Sequence, residues 1–200
     1  MRDNDIETRE KIMNTALELV KSETDYAKIT VRKIVSAAGV SLSAVNYHFG
    51  SKEKLINEVV KRPILEFMAS AENPYEKYAD DPVKVFKEAV KLPAKYLAEN
   101  PNIARISILS DMSAPIGNDL TEQTVNYLMP AAKAALSGLE QTDIEMELWG
   151  LVSLMQTAFL RSRSYLSQTG IDYFNERDRN RFLERYIDIL IENKGGFSDE

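Results

Sequence analysis

The chain of 200 residues is 44% hydrophobic, carries a formal net charge of −6 at pH 7, and contains one His and no Cys. Without Cys there is no disulfide framework and no thiolate metal site, and no apolar run reaches the roughly 18 residues of a membrane span. Because the start also lacks the apolar region of a signal peptide, we expect a cytoplasmic protein with no membrane partner.

The first predicted helix runs from about Ile6 to Lys21. Its residues Ile12, Ala16 and Val20 repeat at intervals of four, so they share one face that can be buried. A polar stretch over residues 22–28 is predicted to connect this helix to the next one.

Residues 30–49 are predicted to form two short helices joined by a glycine. Thr30 is placed to cap a helix that ends at Ala38, and Ser41 is placed to cap a second helix that ends at Phe49. Gly39 stands where a helix end favours a left-handed residue, which glycine adopts without steric cost. This order predicts a helix-turn-helix, whose second helix enters the major groove of DNA.

The outer face of the second short helix carries side chains that suit DNA contacts. Val45 and Phe49 are four residues apart and are predicted to face the core, which leaves Ser43, Asn46, Tyr47 and His48 on the outer side. Asn pairs with adenine through two hydrogen bonds, whereas Ser, Tyr and His reach bases or backbone phosphates. A small three-helix domain with a merely solvated outer face fits the same composition.

Residues 30–56 resemble the DNA-binding domain of TetR-type (tetracycline-repressor-like) transcriptional regulators. The matching motifs are Thr-Val-Arg at 30–32, Ala-Ala-Gly-Val-Ser at 37–41, Tyr-His-Phe at 47–49 and Gly-Ser-Lys-Glu at 50–53. Many members carry Leu-Tyr where this chain has Val45-Asn46, a departure that concerns the operator sequence rather than the docking mode. The resemblance implies a phosphate contact from Lys52, and the full set of expected DNA-contacting residues is Thr30, Arg32, Ser41, Ser43, Ala44, Asn46, Tyr47, His48 and Lys52.

The charge is divided unevenly along the chain. Residues 1–62 hold 11 Lys or Arg against 9 Asp or Glu, whereas residues 63–200 hold 14 against 22. DNA binding needs a local basic face rather than a basic protein, so the overall negative charge does not exclude it. The acidic remainder is expected to repel DNA and to confine contact to one end of the chain.

The later helices are predicted from their N-terminal caps. Asp81-Pro82 and Asn100-Pro101 each place a capping side chain before a proline, which favours the first turn of a helix. Capping boxes are predicted at Asp119-Leu-Thr-Glu122 and Thr142-Asp-Ile-Glu145. The helices predicted after residue 50 are about 51–68, 82–99, 101–110, 119–137, 142–168 and 175–194.

The chain is therefore predicted to be all-α, with about nine helices. Pro63 predicts a kink in the helix after Ser51 rather than its end, because the apolar pattern resumes beyond it. Residues 73–81 and 111–118 are predicted loops. The resemblance implies that residues 1–50 form a three-helix helix-turn-helix domain and that residues 51–200 form a larger helical effector-binding and dimerisation domain. A helix from about residue 52 is expected to connect the two.

The last two long helices are the predicted homodimer interface. The helix predicted over 142–168 is apolar around most of its circumference, so it needs packing on two sides. One side can pack on its own domain and the other on a symmetry mate, and the resemblance implies this arrangement. The predicted interface residues are Leu148, Leu151, Phe182, Tyr186, Ile189 and Leu190. Both helices could instead be ordinary core helices of a monomer.

The resemblance also implies a small-molecule pocket among the middle helices. Aromatic and Met side chains around a few polar groups suit an apolar ligand, although such a stripe at helical spacing is more often protein core. The candidate lining residues are Tyr96, Ile106, Met112, Trp149, Met155, Gln156 and Phe159.

The predicted function is sequence-specific regulation of transcription, as a repressor that a small-molecule effector of unknown identity releases from a palindromic DNA operator. The alternative is a helical DNA-binding or adaptor protein with no such effector. No catalysis, cofactor or metal is expected, because the single histidine, His48, lies in the predicted recognition helix and no Gly-rich phosphate loop precedes a helix.

Overall fold

The computed structural model describes the backbone of residues 2–113 and 117–193, and the side chains of residues 5–113 and 117–192. Within these residues every regular element is helical, as the sequence predicts, and there is no strand. A 3-10 turn spans Tyr26–Lys28, and the α-helices are α1 Arg2–Ser22, α2 Val31–Ala38, α3 Leu42–Phe49, α4 Lys52–Ser70, α5 Pro74–Lys77, α6 Pro82–Glu99, α7 Pro101–Ser113, α8 Leu120–Ala135, α9 Gln141–Leu160, α10 Ser162–Thr169 and α11 Glu176–Asn193.

Two features raise the expected nine helices to eleven in the described part of the chain. The predicted loop at 73–81 contains α5, because the Asn73 side chain accepts a hydrogen bond from the Tyr75 N–H and Pro74 fits the first turn. The single helix predicted over 142–168 is interrupted at Arg161, whose backbone leaves helical geometry (φ −109°, ψ 27°). The predicted stop at Gly170 is confirmed, with φ at 71°.

The predicted capping box at Thr142-Asp-Ile-Glu145 is wrong. Helix α9 begins at Gln141, its N-cap residue is Glu140, and no side chain caps it. Thr142 therefore lies inside the first turn. The proline-led start of α6 is confirmed, since the Asp81 carboxylate accepts a hydrogen bond from the Lys84 N–H at 3.0 Å.

Three prolines lie inside helices that continue beyond them. Pro63, Pro93 and Pro130 stand within α4, α6 and α8 respectively, so the expectation that α4 continues past its proline is confirmed. The predicted loop at 111–118 begins later than expected, because α7 extends to Ser113, and residues 114–116 lie outside the described part.

The described residues divide into two compact units. The first lies within Met1–Ala69 and Asn100–Leu120, and the second within Ser70–Glu99 and Thr121–Glu200. The expected boundary at residue 50 does not coincide with this division, because most of α4 and all of the described α7 belong with the first three helices. The Leu55, Ile56 and Val60 side chains of α4 are fully buried.

Helix α1 is the central element of the first unit, where it packs on α2, α3 and α7. Its side chains Ile12, Ala16 and Val20 are fully buried, which confirms the predicted face. The start of α7 is attached to the end of α1, since the Asn102 side-chain amide donates to the Lys21 carbonyl at 2.8 Å.

The second unit has its own hydrophobic core, to which α6, α8, α9 and α11 contribute. Two fully buried side chains, Phe86 of α6 and Leu151 of α9, lie in it. At its edge the Lys91 ammonium of α6 pairs with Glu88 at 2.7 Å and with Glu184 of α11 at 2.6 Å. None of the helices in the described ranges is both long and apolar enough to cross a membrane.

Candidate nucleic-acid interface

The turn between α2 and α3 has the geometry that the sequence predicts. The Thr30 hydroxyl accepts a hydrogen bond from the Lys33 N–H at 3.2 Å, and the Ser41 hydroxyl accepts one from the Ala44 N–H at 3.1 Å. Gly39 is left-handed, with φ 61° and ψ 39°. Two capped helices joined by a left-handed glycine form a helix-turn-helix, so this prediction is confirmed.

Helix α3 buries one face and exposes another. Val45 and Phe49 are buried, as predicted, whereas Asn46 and Ser43 are exposed and the Tyr47 side chain is 77% exposed. Most of the Tyr47 ring and its phenolic hydroxyl is therefore accessible to a partner. Together with Asn46 it forms an outward surface with hydrogen-bonding groups suited to base edges and phosphates.

The expectation that His48 faces outward is wrong. Its side chain is only 8% exposed, and its Nε2 atom lies 3.5 Å from the Asp5 carboxylate of α1. The imidazole is also in edge contact with the Tyr47 ring, at 5.0 Å between centroids. His48 therefore packs between α1 and α3 and supports Tyr47, while its role as a DNA contact stays a prediction.

An open hollow of about 400 Å³ lies beside the outward face of α3. The residues that line it are Asp5, Thr8, Ser41, Ser43, Ala44, Tyr47 and His48. Ser43 and Ser41 share a hydrogen bond of 2.8 Å between their hydroxyl groups. The hollow is wide open to solvent, which suits contact with a large partner rather than enclosure of a small ligand.

Two cations on the helices that precede and follow α3 differ in how they are held. Arg32 of α2 is exposed and forms no ion pair with the described residues. Lys52, the first residue of α4, donates to the Tyr26 carbonyl at 3.2 Å, and its Nζ atom lies 3.7 Å from the centroid of the Tyr26 ring. Burial lowers the pKa of the Lys52 ammonium, against the attraction of Glu53.

The candidate pocket residues lie in both units. Ile106 is buried in the first unit, and Tyr96, Met155, Gln156 and Phe159 are buried in the second. Met112 and Trp149 are exposed, which does not fit an enclosed pocket. Gln156 donates from its side-chain amide to the Thr121 hydroxyl at 2.9 Å.

The candidate interface residues fall into two groups. Leu148 and Leu151 are wrong for this role, because both are buried in the core of their own unit and present no surface to a second chain. Phe182, Tyr186 and Leu190 are partly buried on α11, and Ile189 is exposed beside them.

Sequence reasoning missed the residues that position this surface through long-range contacts. Tyr26 holds Lys52, and Asp5 faces His48, yet in each pair the partners are separated by more than 20 residues. Nothing in the spacing of such residues indicates that they meet. In the sequence, the signal for this contact is Tyr26 itself, an aromatic residue in an otherwise polar connection.

Residues 12–59 match the family model described as bacterial regulatory proteins, tetR family. The nucleoid occlusion factor SlmA of Aliivibrio fischeri (strain MJ11) is 30% identical over 98 residues, which cover 49% of this chain and 50% of that protein. SlmA of Vibrio cholerae serotype O1 is 25% identical over 131 residues, covering 66% and 65%. The chain thus spans about half to two thirds of the length of these curated relatives.

Solved structures share the fold over nearly the whole chain. Mycobacterium smegmatis BioQ has a TM-score of 0.66 at 19% identity, and the match covers 90% of this chain and 96% of that one. A TetR transcription regulator from Haloarcula marismortui has a TM-score of 0.60 at 18% identity, covering 92% and 97%. At these identities the likeness establishes the fold alone.

Proposed function

We propose that this chain, which belongs to the tetR family of bacterial regulatory proteins, is a cytoplasmic homodimeric repressor that binds a palindromic operator. DNA-binding regulation is the function of the family. Repression, the palindrome and release by a small molecule are our extension of it to this chain.

The outward face of α3 carries the proposal. Asn46 and Tyr47 are exposed on a helix that is capped at its start and anchored by two buried side chains, Val45 and Phe49. A helix held in this way presents its outer side chains as a rigid unit, which is what insertion into a major groove requires. Ser43 on α3 and Arg32 on α2 are also exposed, and they are suited to contact bases or phosphates and to neutralise phosphate charge.

A second observation supports dimerisation. Two large apolar side chains of α9 are exposed, namely Met146 at 68% and Trp149 at 43% exposure, whereas its acidic residues Asp143, Glu145 and Glu147 are half-buried. In a chain with 28% charged residues, such a face on a 20-residue helix favours cover by another protein surface. The proposed interface on α9 therefore contains Met146 and Trp149, and it does not contain the buried residues Leu148 and Leu151.

Helix α11 extends this face. The Tyr186 hydroxyl lies 3.6 Å from the position that a Cβ atom would occupy at Gly150, so the two helices approach closely there. Ile189 is exposed on the same helix, and Phe182 packs against the Tyr165 ring. Two helices from each of two chains would form a four-helix interface, which sets the spacing of the two recognition helices.

Effector release is proposed as a population shift. An effector that prefers a dimer with misplaced recognition helices lowers operator affinity by the difference between its affinities for the two states. The buried aromatic and polar side chains of the second unit, among them Tyr96 and Gln156, are the proposed ligand contacts. Burial raises the pKa of the Tyr96 hydroxyl, so this group is a neutral hydrogen-bonding partner for a ligand. Pro63 is proposed as the pivot of α4, and Pro63→Ala is then expected to alter both DNA affinity and the ligand response.

A second candidate function is DNA binding without a small-molecule effector. Its support is the match to nucleoid occlusion factors, which covers about half of the chain. Both candidate functions require α3 to contact DNA. They differ only in whether a small-molecule ligand changes the affinity of the chain for DNA.

The deciding experiment selects bound sequences from a random-duplex library with the wild-type chain. We expect enrichment of an inverted repeat, with half-sites about one helical turn apart. The control is the Asn46→Ala/Tyr47→Ala double variant, which alters only exposed side chains and is expected to enrich no sequence. Failure of the wild-type chain to enrich any sequence would remove the proposal. Mass spectrometry of molecules that co-purify with the chain then separates the effector-responsive function from the effector-free one.

A further inference from the structure

The Lys52 side chain, at the start of α4, is held at its end by Tyr26. Its ammonium donates one hydrogen bond to the Tyr26 carbonyl and lies 3.7 Å from the centre of the Tyr26 ring. An ammonium over an aromatic face is attracted by the negative charge of the π system. The side chain is thus fixed at its end by two interactions with the same residue.

Tyr26 is itself fixed. It opens the 3-10 turn Tyr26–Lys28, and the Asp25 carboxylate caps this turn by accepting the Ala27 N–H at 3.0 Å. The Tyr26 hydroxyl lies 3.4 Å from the Ser110 hydroxyl of α7. Ile29, directly after the turn, is fully buried. The ring that holds Lys52 is therefore attached to both the turn and α7 within the first unit.

The ammonium retains donors for a further partner. Lys has three N–H donors, and within the described part of the chain one of them goes to the Tyr26 carbonyl. Lys52 is partly exposed and lies at the start of α4, three residues after the end of α3. Because so few residues separate it from α3, we expect a phosphate of a duplex that contacts α3 to come within reach of this ammonium.

We propose that Tyr26 is a positioning residue that holds the Lys52 ammonium ready to bind a DNA phosphate. This inference rests on the proposed function and adds to it a residue that does not itself touch DNA. A free lysine side chain loses rotamer freedom when it binds a phosphate. A lysine already held over a ring has lost that freedom before DNA arrives.

The test compares four chains on the duplex that the wild-type chain selects. Tyr26→Leu removes the ring, Tyr26→Phe keeps it, and Lys52→Gln removes the charge. The fourth chain carries Tyr26→Leu and Lys52→Gln together. The backbone carbonyl of residue 26 is present in all four, so any difference between the Leu and Phe variants reports on the side chain. Affinity is measured by fluorescence anisotropy over a range of salt concentrations.

We expect Tyr26→Leu to weaken DNA binding about fivefold for each copy of the site and to leave the salt dependence unchanged, because the charge remains. Tyr26→Phe is expected to restore most of the affinity. Lys52→Gln is expected to reduce the slope of log affinity against log salt by about 0.9 for each copy. Once Lys52 is replaced, Tyr26→Leu should have no further effect. An equal loss from Tyr26→Leu in both backgrounds would overturn the proposal.

A measurement without DNA separates this inference from the proposed function. Reductive methylation with ¹³C-formaldehyde keeps the lysine charge and labels Lys52, whose NMR signal is identified by its loss in Lys52→Gln. The ring is expected to shift this signal upfield from those of the other lysines in the wild-type and Phe variants, and not in the Leu variant. An unshifted signal in the wild-type chain overturns the inference even if Tyr26→Leu fails to fold. A shifted signal without selection of DNA means that the proposed function, rather than the Tyr26–Lys52 contact, has failed.

Discussion

The guanidinium carbon of Arg9 lies 5.2 Å from the centroid of the Phe49 ring, so a side chain of α1 covers the last residue of the recognition helix. The same guanidinium forms an ion pair with Glu58 of α4 and donates to the Met13 sulfur at 3.2 Å. Arg9 thus contacts residues of three helices at once. The direction in which α3 projects from the unit depends on this packing as well as on the turn at Gly39.

Replacing Arg9 with Met is expected to lower the free energy of unfolding by about 1–2 kcal/mol, from a half-exposed ion pair and a cation–π contact. Urea denaturation followed by circular dichroism measures the change. Arg32→Met is the matched control, because Arg32 is exposed and pairs with none of the described residues. Equal stability of the two variants would contradict a packing role for Arg9.

Asn46→Ala is expected to relax base preference at one position in each half-site, at a loss of about 1–3 kcal/mol for the preferred base. The reason is that an exposed amide on α3 can form two hydrogen bonds with one adenine. Repeating the selection from random DNA with this variant measures the change. Arg32→Met should instead weaken binding to all sequences alike and reduce the salt dependence. Indistinguishable behaviour of the two variants would show that the roles are assigned wrongly.

Gly39→Ala is expected to destabilise the first unit by about 1–2 kcal/mol, because a residue with a Cβ atom is strained at φ 61°. A steric clash is not the cause, since the nearest atom to an added Cβ atom at this position is the Lys11 Nζ, at 3.9 Å. Gly39→Asn should recover part of the loss, since Asn tolerates the left-handed region. Thermal melts of the three chains test this, and equal melting temperatures for Ala and Asn would argue against backbone strain as the cause.

Trp149→Glu is expected to convert the dimer to a monomer, because it replaces a large apolar side chain by a charge on a face that we propose is buried between two chains. Size-exclusion chromatography with light scattering measures the mass of each chain in solution. Gln168→Glu adds the same charge to an exposed position of α10 and should leave the assembly unchanged. A wild-type chain that is monomeric at micromolar concentration would remove the interface altogether.

Most of the helix-turn-helix could be predicted because its signals are local. Thr30, Gly39 and Ser41 act on backbone groups within three or four residues of themselves, so their spacing along the chain determines their geometry. The interruption of the predicted helix at Arg161 could not be predicted in this way, because no Gly or Pro marks it. The capping box at Thr142 failed for a related reason. A capping motif indicates that a helix starts nearby, but it does not determine the first residue.

The burial of individual side chains on α3 was harder to predict than the helix itself. Val45 and Phe49 follow from helical periodicity, but His48 lies between the predicted core face and the outer face. Its environment depends on where α1 passes, and the Asp5 carboxylate that faces it is 43 residues earlier in the chain. The same reason applies to Leu148 and Leu151, which the apolar pattern predicts at an interface and which are buried in the core of their own unit. When a helix is apolar on two sides, its sequence does not indicate which side packs against the core of its own chain.

By itself, the sequence determined the all-α class and the two capped helices around Gly39, because these depend on contacts between residues close together in the chain. Only the tertiary structure decided that α4 and α7 pack with that region, that His48 turns toward α1, and that Tyr26 holds Lys52. Each of these contacts joins residues that are far apart in sequence. Their meeting depends on how whole helices pack, which no local spacing specifies.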